Sequence, residues 1–221
     1  MGVRYKADPE KAKNGAGKRP PGRPRSEQAR RAILQSTLKI LGESGFSDLA
    51  IEDVAHRAAV GKATVYRWWE NKGALIADAF ASSTTSKLRF PNTGSVYTDM
   101  SRQMRQLVKI FRSPKGRIVS AILAAGQTDH ESIAAFRERF LKPRRREAYI
   151  TLQRGIQRGE LPRGLDPDLL LDALYGPIYM RFLIKHDRLT PDFTDRLCSL
   201  VLGGARSDRA RISRGKRTRV A

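Results

Sequence analysis

The sequence predicts an all-α protein in which a small N-terminal head precedes a larger helical bundle. Apolar residues recur at the three- and four-residue spacing of one helix face, as Ile51, Val54, Ala55 and Ala58 do. Proline stands at or near the first position of four predicted helices, where its missing N–H costs no hydrogen bond. No stretch alternates polar and apolar residues as a half-buried strand does. We therefore expect about nine to ten helices and no sheet.

The head is expected to begin after a basic arm. Residues 1–25 are rich in Pro and Gly and hold too few apolar groups to offset the entropy of ordering, so we expect a disordered segment. Ser26 is a suitable N-cap for the first helix, and Gly45 is a typical C-terminal stop. Further helices are predicted over residues 50–58, 62–69 and 72–86. The head then covers about residues 26–88.

The body is predicted to cover residues 95–203, after a linker over residues 89–95 that holds several turn formers. Its helices are expected to begin near Val96, Pro114, His130, Pro143, Pro167 and Pro191. The last helix is expected to end at Leu202. Residues 204–221 are expected to form a disordered basic tail.

The charge of the chain indicates a polyanionic partner. Lys and Arg total 43 against 22 Asp and Glu, which gives a formal net charge of +21 at pH 7. Residues 1–31 hold ten Lys or Arg against three acidic residues, and residues 204–221 hold seven against one. Such an excess favours binding to nucleic acid or to an anionic membrane surface.

Of these two partners, the sequence of residues 45–75 favours nucleic acid. These residues read GFSDLAIEDVAHRAAVGKATVYRWWENKGAL and closely resemble the DNA-binding head of the tetracycline-repressor family. In the body, four segments are similar to one branch of that family: SPKGR at 113–117, FRERFLKPRR at 136–145, RGIQRGEL at 154–161 and LLLDALYGPIYMRFLI at 169–184. The resemblance covers about residues 26–203. It implies a helix-turn-helix head, with the motif at about residues 50–69, on a C-terminal domain for dimerisation and effector binding. It also implies a transcriptional regulator, usually a repressor that a small molecule releases from a palindromic operator.

The second helix of the motif, residues 62–69, is expected to enter the major groove of DNA with Val65 and Trp69 turned back to the core. The predicted DNA-facing residues of the head are Gly61, Lys62, Ala63, Thr64, Tyr66, Arg67, Trp68 and Lys72. The resemblance implies a phosphate contact through the hydroxyl of Tyr66, and a contact of Lys62 with backbone or bases. Lys72 begins the next helix, whose N-terminal N–H groups attract phosphate.

Two of these residues keep alternative interpretations. The guanidinium of Arg67 suits either a guanine edge or a phosphate. Trp68 is equally compatible with a DNA contact and with packing. For any single charged residue, the alternative is a solvated surface position without a DNA contact. For the whole set within this motif, DNA binding is the better interpretation.

The motif departs from the family pattern at two places. Leu49 and Ala50 stand where the family usually has a capping Thr or Ser, so we expect Ser47 or Asp48 to cap the second helix. Ala59 stands in the turn where Gly is common. Because a positive φ would strain alanine, we expect a slightly different turn.

The arm contains a second DNA-binding pattern. Residues 18–25 read KRPPGRPR and resemble an AT-hook. Prolines hold such a chain extended, and Arg23 and Arg25 are expected to lie in the minor groove of A·T-rich DNA. A solvated basic leader is the alternative, but the position directly before the head favours the groove.

By resemblance, helices 167–185 and 191–202 pair with those of a second copy in a four-helix bundle. The predicted dimer interface consists of Leu170, Leu174, Ile178, Phe182, Leu197 and Val201. A small-molecule effector is expected within residues 95–185, among apolar and aromatic side chains with a few polar tips. The predicted lining is Met104, Phe111, Gln127, Phe136, Tyr149, Tyr175 and Tyr179. Ordinary core packing is the alternative for every residue of both sets.

Other functions find less support in the sequence. The three histidines are scattered, a Gly-rich phosphate loop is lacking, and the single cysteine, Cys198, excludes a Cys-based zinc site. We therefore expect no enzyme, cofactor or metal. No apolar run approaches the roughly 20 residues that span a bilayer, and no secretory signal is evident, so we expect a cytoplasmic protein without a membrane partner. A non-specific nucleic-acid compactor, suggested by the two basic ends, would bind all duplexes alike, whereas an operator-reading protein discriminates by about 10³ or more.

Overall fold

The computed structural model describes the backbone of residues 26–215 and the side chains of residues 26–205. Its helices are α1 (Glu27–Glu43), α2 (Ile51–Arg57), α3 (Lys62–Trp68), α4 (Lys72–Thr84), α5 (Val96–Phe111), α6 (Pro114–Ala125), α7 (His130–Phe136), α8 (Lys142–Gln157), α9 (Pro167–Ile184) and α10 (Pro191–Gly215). A 3₁₀ turn over Thr85–Lys87 follows α4, and a π-helical segment, Arg137–Leu141, joins α7 to α8. Strands are absent from the described range, and the all-α prediction is confirmed.

Helices α1 to α4 form the head around a small apolar core. The Oγ of Ser26 accepts a hydrogen bond of 3.3 Å from the N–H of Ala29, as expected of an N-cap. Asn71 caps α4 in the same way, through a 2.8 Å bond to the N–H of Ala74. The largest side chains that are fully buried in the head are Ile33, Trp69, Leu75, Ile76 and Phe80. Their removal from water stabilises the head by roughly 1.5–3 kcal/mol for each large side chain.

Helices α5 to α10 form the body, and α5 is its central element. Val96, Met100 and Met104 all lie on the buried face of α5, as their spacing predicts. Helix α10 packs antiparallel to α5, since Arg105 pairs with Asp195 whereas the earlier part of α5 lies beside the later part of α10. Because the end of α5 leads into α6, which contacts α1 and α4 of the head, α10 runs away from the head.

Helices α7 and α8 are two parts of one unbroken helix. An α-helix does begin beside Pro143, as predicted, but no break separates it from α7, because Arg137 and Leu141 both keep right-handed helical backbone angles. The N–H of Lys142 bonds to the carbonyl of Arg137, five residues back, so the turn is wider than in an α-helix. Because Pro143 has no N–H to donate and its ring displaces the preceding turn, the wide turn lets the helix continue.

The two ends of the chain differ from the predictions in one respect. The prediction of a disordered tail from residue 204 is wrong for residues 204–215, because α10 continues as helix to Gly215. The arm over residues 1–25, with Arg23 and Arg25, lies outside the described residues, as do residues 216–221. Between residues 26 and 215 no helix combines the length and apolar character that crossing a membrane requires.

Candidate nucleic-acid interface

The turn between α2 and α3 contains a strained alanine. Ala59 has a φ of 52°, in the left-handed region, and its N–H bonds to the carbonyl of His56 at 3.0 Å. The N–H of Val60 bonds to the carbonyl of Ala55, also at 3.0 Å. The expectation of a different turn is therefore wrong: the chain keeps the tight turn and accepts the positive φ, at a cost of about 1–2 kcal/mol.

The start of α2 has no side-chain cap. Ala50 occupies the N-cap position with extended backbone and no capping hydrogen bond, so the prediction that Ser47 or Asp48 caps this helix is wrong. The carbonyl of Ser47 instead accepts a 2.9 Å hydrogen bond from the ammonium of Lys72. Lys72 of α4 thus fixes the loop that precedes α2.

Helix α3 has one buried face and one exposed face. Val65 is fully buried, and Trp69, which ends the helix, is 1% exposed, as predicted for residues turned to the core. Most of the predicted DNA-facing residues lie on the opposite, exposed side: Gly61, Lys62, Ala63, Tyr66 and Arg67, whereas Thr64 is half-buried. Tyr66 exposes 48% of its surface, which is unusual for an aromatic residue and leaves its hydroxyl accessible.

Lys62 is engaged within the head. Its ammonium pairs with the carboxylate of Glu52 on α2 and lies 5.8 Å from the ring centroid of Tyr66. The hydrogen bond between the two side chains lowers the pKa of Glu52 and raises the pKa of Lys62. Since exposed ion pairs of this kind contribute little, a DNA phosphate can compete for the lysine.

Lys72, at the start of α4, points toward the loop before α2. Its ammonium, bonded to Ser47, also lies 5.2 Å from the ring centroid of Phe46. Burial lowers its pKa. Its immediate role is to fix the loop, and a phosphate contact remains a prediction.

Trp68 packs at the end of α3. Its ring centroid lies 6.1 Å from that of Trp69 and 5.6 Å from the guanidinium carbon of Arg30 on α1. Of the two interpretations of Trp68, packing accounts for this geometry. A DNA contact of Trp68 stays a prediction.

Asp78 on α4 joins three elements and was not identified from the sequence. Its Oδ2 accepts hydrogen bonds from Nε1 of Trp69 at 2.9 Å and from Nη2 of Arg30 at 3.3 Å. Nη1 of Arg139, in the π segment of the body, lies 3.3 Å from the same oxygen. The carboxylate therefore connects α1, the end of α3 and the body.

Known proteins share this architecture over most of the chain. Residues 33–79 match the family described as "Bacterial regulatory proteins, tetR family", and residues 90–201 match the "Tetracyclin repressor-like, C-terminal domain". The HTH-type transcriptional regulator YdeS of Bacillus subtilis is 38% identical over 189 residues, which cover 86% of this chain and 96% of that protein.

The chain belongs to the TetR family of transcriptional regulators.

Two further proteins illustrate the TetR-family likeness. The crystal structure of the TetR family transcription regulator SCO0332 has a TM-score of 0.73 and 32% sequence identity, and the match covers 80% of this chain and 98% of that one. The DNA-binding transcriptional repressor TetR of Mycobacteroides abscessus is 27% identical over 179 residues, which are 80% of this chain and 94% of that protein. The helix-turn-helix prediction and the assignment as a DNA-binding transcriptional regulator are confirmed.

The body of this TetR-family protein contains a small cavity between α5, the π segment, α8 and α9. Its volume is about 50 Å³, room for one or two water molecules. Its apolar lining includes Leu88, Leu107, Phe140, Leu141, Ala148 and Leu171, and its polar lining consists of Gln103, Arg144, Arg145, Tyr175 and Tyr179. The hydroxyl of Tyr175 donates to Oε1 of Gln103 at 2.5 Å. Burial raises the pKa of both tyrosines, so both hydroxyls stay protonated at neutral pH.

Of the residues predicted to line an effector pocket, Tyr175 and Tyr179 border this cavity. Met104 and Phe136 are buried elsewhere in the core, and Phe111 packs edge-on against the far side of Tyr179, with ring centroids 5.1 Å apart.

Two members of that predicted lining are misplaced. Gln127 is exposed at the end of α6 and bonds back to the carbonyl of Leu123, and Tyr149 bonds from the outer side of α8 to Asp168. Gln103 was missed, although a buried polar residue in the apolar face of α5 was an available signal. Arg144 was missed because its neighbours in sequence are also arginines.

The predicted dimer interface is corrected in a similar way. Leu170, Leu174, Ile178 and Leu197 are all buried within the protomer, so they offer little surface to a second copy. Phe182 stacks on Phe111 with ring centroids 4.2 Å apart, and Val201 is half-buried. Among residues 167–205, the exposed large apolar side chains of these two helices are Leu169, Met180, Leu183, Ile184 and Leu200. Because α9 is apolar around its circumference, the sequence does not distinguish its inner face from its outer one.

Proposed function

We propose that the protein is a homodimer that binds a near-palindromic operator and is released from it when a small molecule enters the body. Membership of the TetR family supports the DNA-binding part of this proposal directly. A single head contacts few base pairs, so a symmetric dimer on two half-sites gains both affinity and specificity. We infer that such a regulator acts on genomic DNA in the cytoplasm and has no catalytic role.

The dimer would form through the exposed faces of α9 and α10. Leu169, Ala173, Gly176, Met180 and Leu183 follow one another at spacings of four and three residues, which is the pattern of a helix–helix seam. Leu169 is 68% exposed and Leu200, on α10, is 75% exposed, which is unusual for leucine. Two helices from each copy would cover these side chains in a four-helix bundle.

DNA recognition would use the exposed side of α3. Tyr66 would donate its hydroxyl to a phosphate, Arg67 would read a guanine, and Lys62 would exchange its pair with Glu52 for a DNA contact. Helix α1 begins beside the end of α3, since Arg30 contacts both Trp68 and Trp69. The arm that precedes α1 would therefore leave the head next to the DNA, where Arg23 and Arg25 could reach a minor groove.

The effector site would be the cavity between α5, α8 and α9. At about 50 Å³ it is far below the 300–1,000 Å³ of typical ligand pockets, so a ligand must displace its lining to enter. A cavity this small supports a switch, because a ligand that displaces side chains to enter stabilises a different conformation from the empty one.

The observation that carries this proposal is the exposed polar face of α3 on a TetR-family head. It is tested by searching the DNA beside the gene for an inverted repeat and footprinting the purified protein on it. Protection of two half-sites one helical turn apart, by a species that sediments as a dimer, is expected. Equal affinity for scrambled DNA of the same composition would contradict operator recognition and favour a non-specific compactor.

A further inference from the structure

Residues Arg137–Leu141 lie in one unbroken helix, between a part that packs on the head and a part that packs within the body. Before this π segment, α7 packs on α4: Nδ2 of Asn71 donates to Oε2 of Glu131 at 3.0 Å, and the ring centroids of Phe80 and Phe136 lie 6.4 Å apart. After it, α8 packs against α5 and α9. The wide turn therefore separates two regions that are held by different partners.

The contact between α7 and α4 is close enough to be rigid. A Cβ built on Gly73 would lie 2.3 Å from the Oγ of Ser132, so only glycine permits the two helices to approach this far. A displacement of α7 is consequently transmitted to α4 rather than absorbed between them.

Neighbouring residues of the π segment have contacts on opposite sides. Phe140 and Leu141 border the cavity, together with Arg144 one turn later. Arg139 points to the head, where Nη1 lies 3.3 Å from Oδ2 of Asp78 and Nη2 lies 3.7 Å from Oε1 of Glu70. One short segment thus contacts both the cavity and the residue that holds the end of α3.

We propose that the π segment is the switch of the regulator, through which filling of the cavity loosens the hold of Asp78 on Trp69. This inference rests on the proposed effector function and assigns the route of regulation. A ligand that displaces Phe140 and Leu141 shifts the wide turn along the helix, which reorients the side chains that the turn passes. Arg139 then leaves Asp78, so the carboxylate that accepts the indole N–H of Trp69 loses one of the two guanidinium groups that fix its position.

The wide turn is a suitable switch because it can change position along the helix without ending it. A π turn holds one residue more than the α-helical turns beside it, so its movement by one position leaves both flanking helices intact. Pro143 keeps the wide turn in this stretch, since its missing N–H prevents a regular α-helical bond to Arg139. The two packed ends are therefore retained while the junction changes.

The test fills the cavity by substitution, which requires no knowledge of the ligand. Ala148 is buried and borders the cavity from α8, so Ala148→Leu is expected to press on Phe140 and Leu141. It is combined with Arg139→Gln in a double-mutant cycle on the full-length dimer. We expect Ala148→Leu to weaken operator binding tenfold or more when Arg139 is present and less than twofold in the Arg139→Gln protein.

A second readout needs no operator. The chain has two tryptophans, Trp68 and Trp69, and Trp69 is bonded to Asp78. Ala148→Leu is expected to shift the wavelength of their fluorescence emission. In the protein that also carries Arg139→Gln, the shift caused by Ala148→Leu should be at most half as large. Equal shifts in both backgrounds would overturn the switch, whatever the protein binds. Coupled fluorescence changes in a protein that recognises no operator would instead contradict only the proposed function.

The matched control lies on the exposed side of the same helix, directly after the π segment. Lys142 pairs with Glu138 and both are exposed, so Lys142→Ala should leave the whole effect of Ala148→Leu in place. Circular dichroism and thermal unfolding establish that each variant is folded. If Ala148→Leu does not fold, Leu107→Phe fills the cavity from α5 in the same cycle. Additive effects in that cycle also count against the switch.

Discussion

The indole N–H of Trp69, at the end of α3, donates a 2.9 Å hydrogen bond to the carboxylate of Asp78 on α4. Trp69 is buried, so no water can replace this acceptor. The same carboxylate pairs with Arg30 and with Arg139, which makes it the point where recognition helix, first helix and body meet. The packing of the end of α3 depends on this residue, and so does the switch proposed above.

Asp78→Ala is expected to lower the free energy of unfolding by about 2–3 kcal/mol. It leaves a buried N–H without an acceptor, which costs about 1–3 kcal/mol, and it removes two partly exposed ion pairs. Urea denaturation at one fixed protein concentration measures the change. The control is Glu43→Ala, which removes an exposed pair with Arg57 and should stay within about 0.5 kcal/mol of the wild type. Equal effects of the two substitutions would contradict the central role of Asp78.

Ala59→Gly is expected to stabilise the protein by about 0.5–1 kcal/mol. Glycine relieves the left-handed strain of about 1–2 kcal/mol, and its greater freedom in the unfolded chain returns about half of that gain. The matched control is Ala63→Gly, in the helical part of the same motif, which should destabilise by about 1 kcal/mol. Thermal unfolding measures the change in stability for each substitution. Changes of opposite sign for two chemically identical substitutions would confirm the turn geometry. Destabilisation by Ala59→Gly would show that this geometry is absent in solution.

The helices of the head could be predicted from the sequence because they depend on residues that lie close together in the chain. Ser26 as a cap and Val65 and Trp69 as buried positions follow from spacing within one helix. The π segment could not be predicted in the same way. Proline normally ends a helix, and only the packing of α7 on α4 and of α8 on α5 selects a wide turn over a break.

The candidate sites beyond the head depend on contacts between distant parts of the chain. Gln103 and Tyr175 are hydrogen-bonded although 72 residues separate them. Periodicity identifies the buried face of each helix, but it does not indicate which buried face borders a void. On α9, inner residues such as Leu174 and outer residues such as Met180 are equally apolar, so only the packed protomer distinguishes them.

Tyr66→Phe and Arg67→Ala are expected to affect DNA binding differently. Tyr66→Phe removes a phosphate hydrogen bond and should weaken binding by about 1–3 kcal/mol for all sequences alike. Arg67→Ala should relax base preference at one position of each half-site, as expected for loss of a guanine contact. Binding selection from a randomised operator distinguishes these outcomes. Recovery of the wild-type consensus by Arg67→Ala, with only lower affinity, would make Arg67 a phosphate ligand.

Removal of residues 1–25 is expected to flatten the salt dependence of operator binding. The log–log slope should fall by up to roughly 0.9 for each phosphate contact that is lost. Sites with A·T-rich flanks should lose more affinity than sites with G·C-rich flanks, because their minor grooves are narrower and more negative. A full-length protein with Arg23→Ala and Arg25→Ala separates the two arginines from the rest of the arm. An unchanged slope in both proteins would assign the arm no part in binding.

Met180→Glu is expected to dissociate the dimer. Met180 is 58% exposed in the protomer and lies in the apolar row of α9, so the substitution would put a carboxylate of each copy into the proposed interface. The lost burial and the desolvation of charge should cost at least about 3 kcal/mol over both copies, a factor of about 100 in the dimer dissociation constant. The control is Ile150→Glu, which replaces another exposed apolar residue, 49% exposed on the outer side of α8, and should leave the dimer intact. Sedimentation at micromolar concentration compares the two proteins, and operator affinity should fall with dissociation because both heads are needed. A dimer that tolerates Met180→Glu would place the contact between copies elsewhere on the molecule.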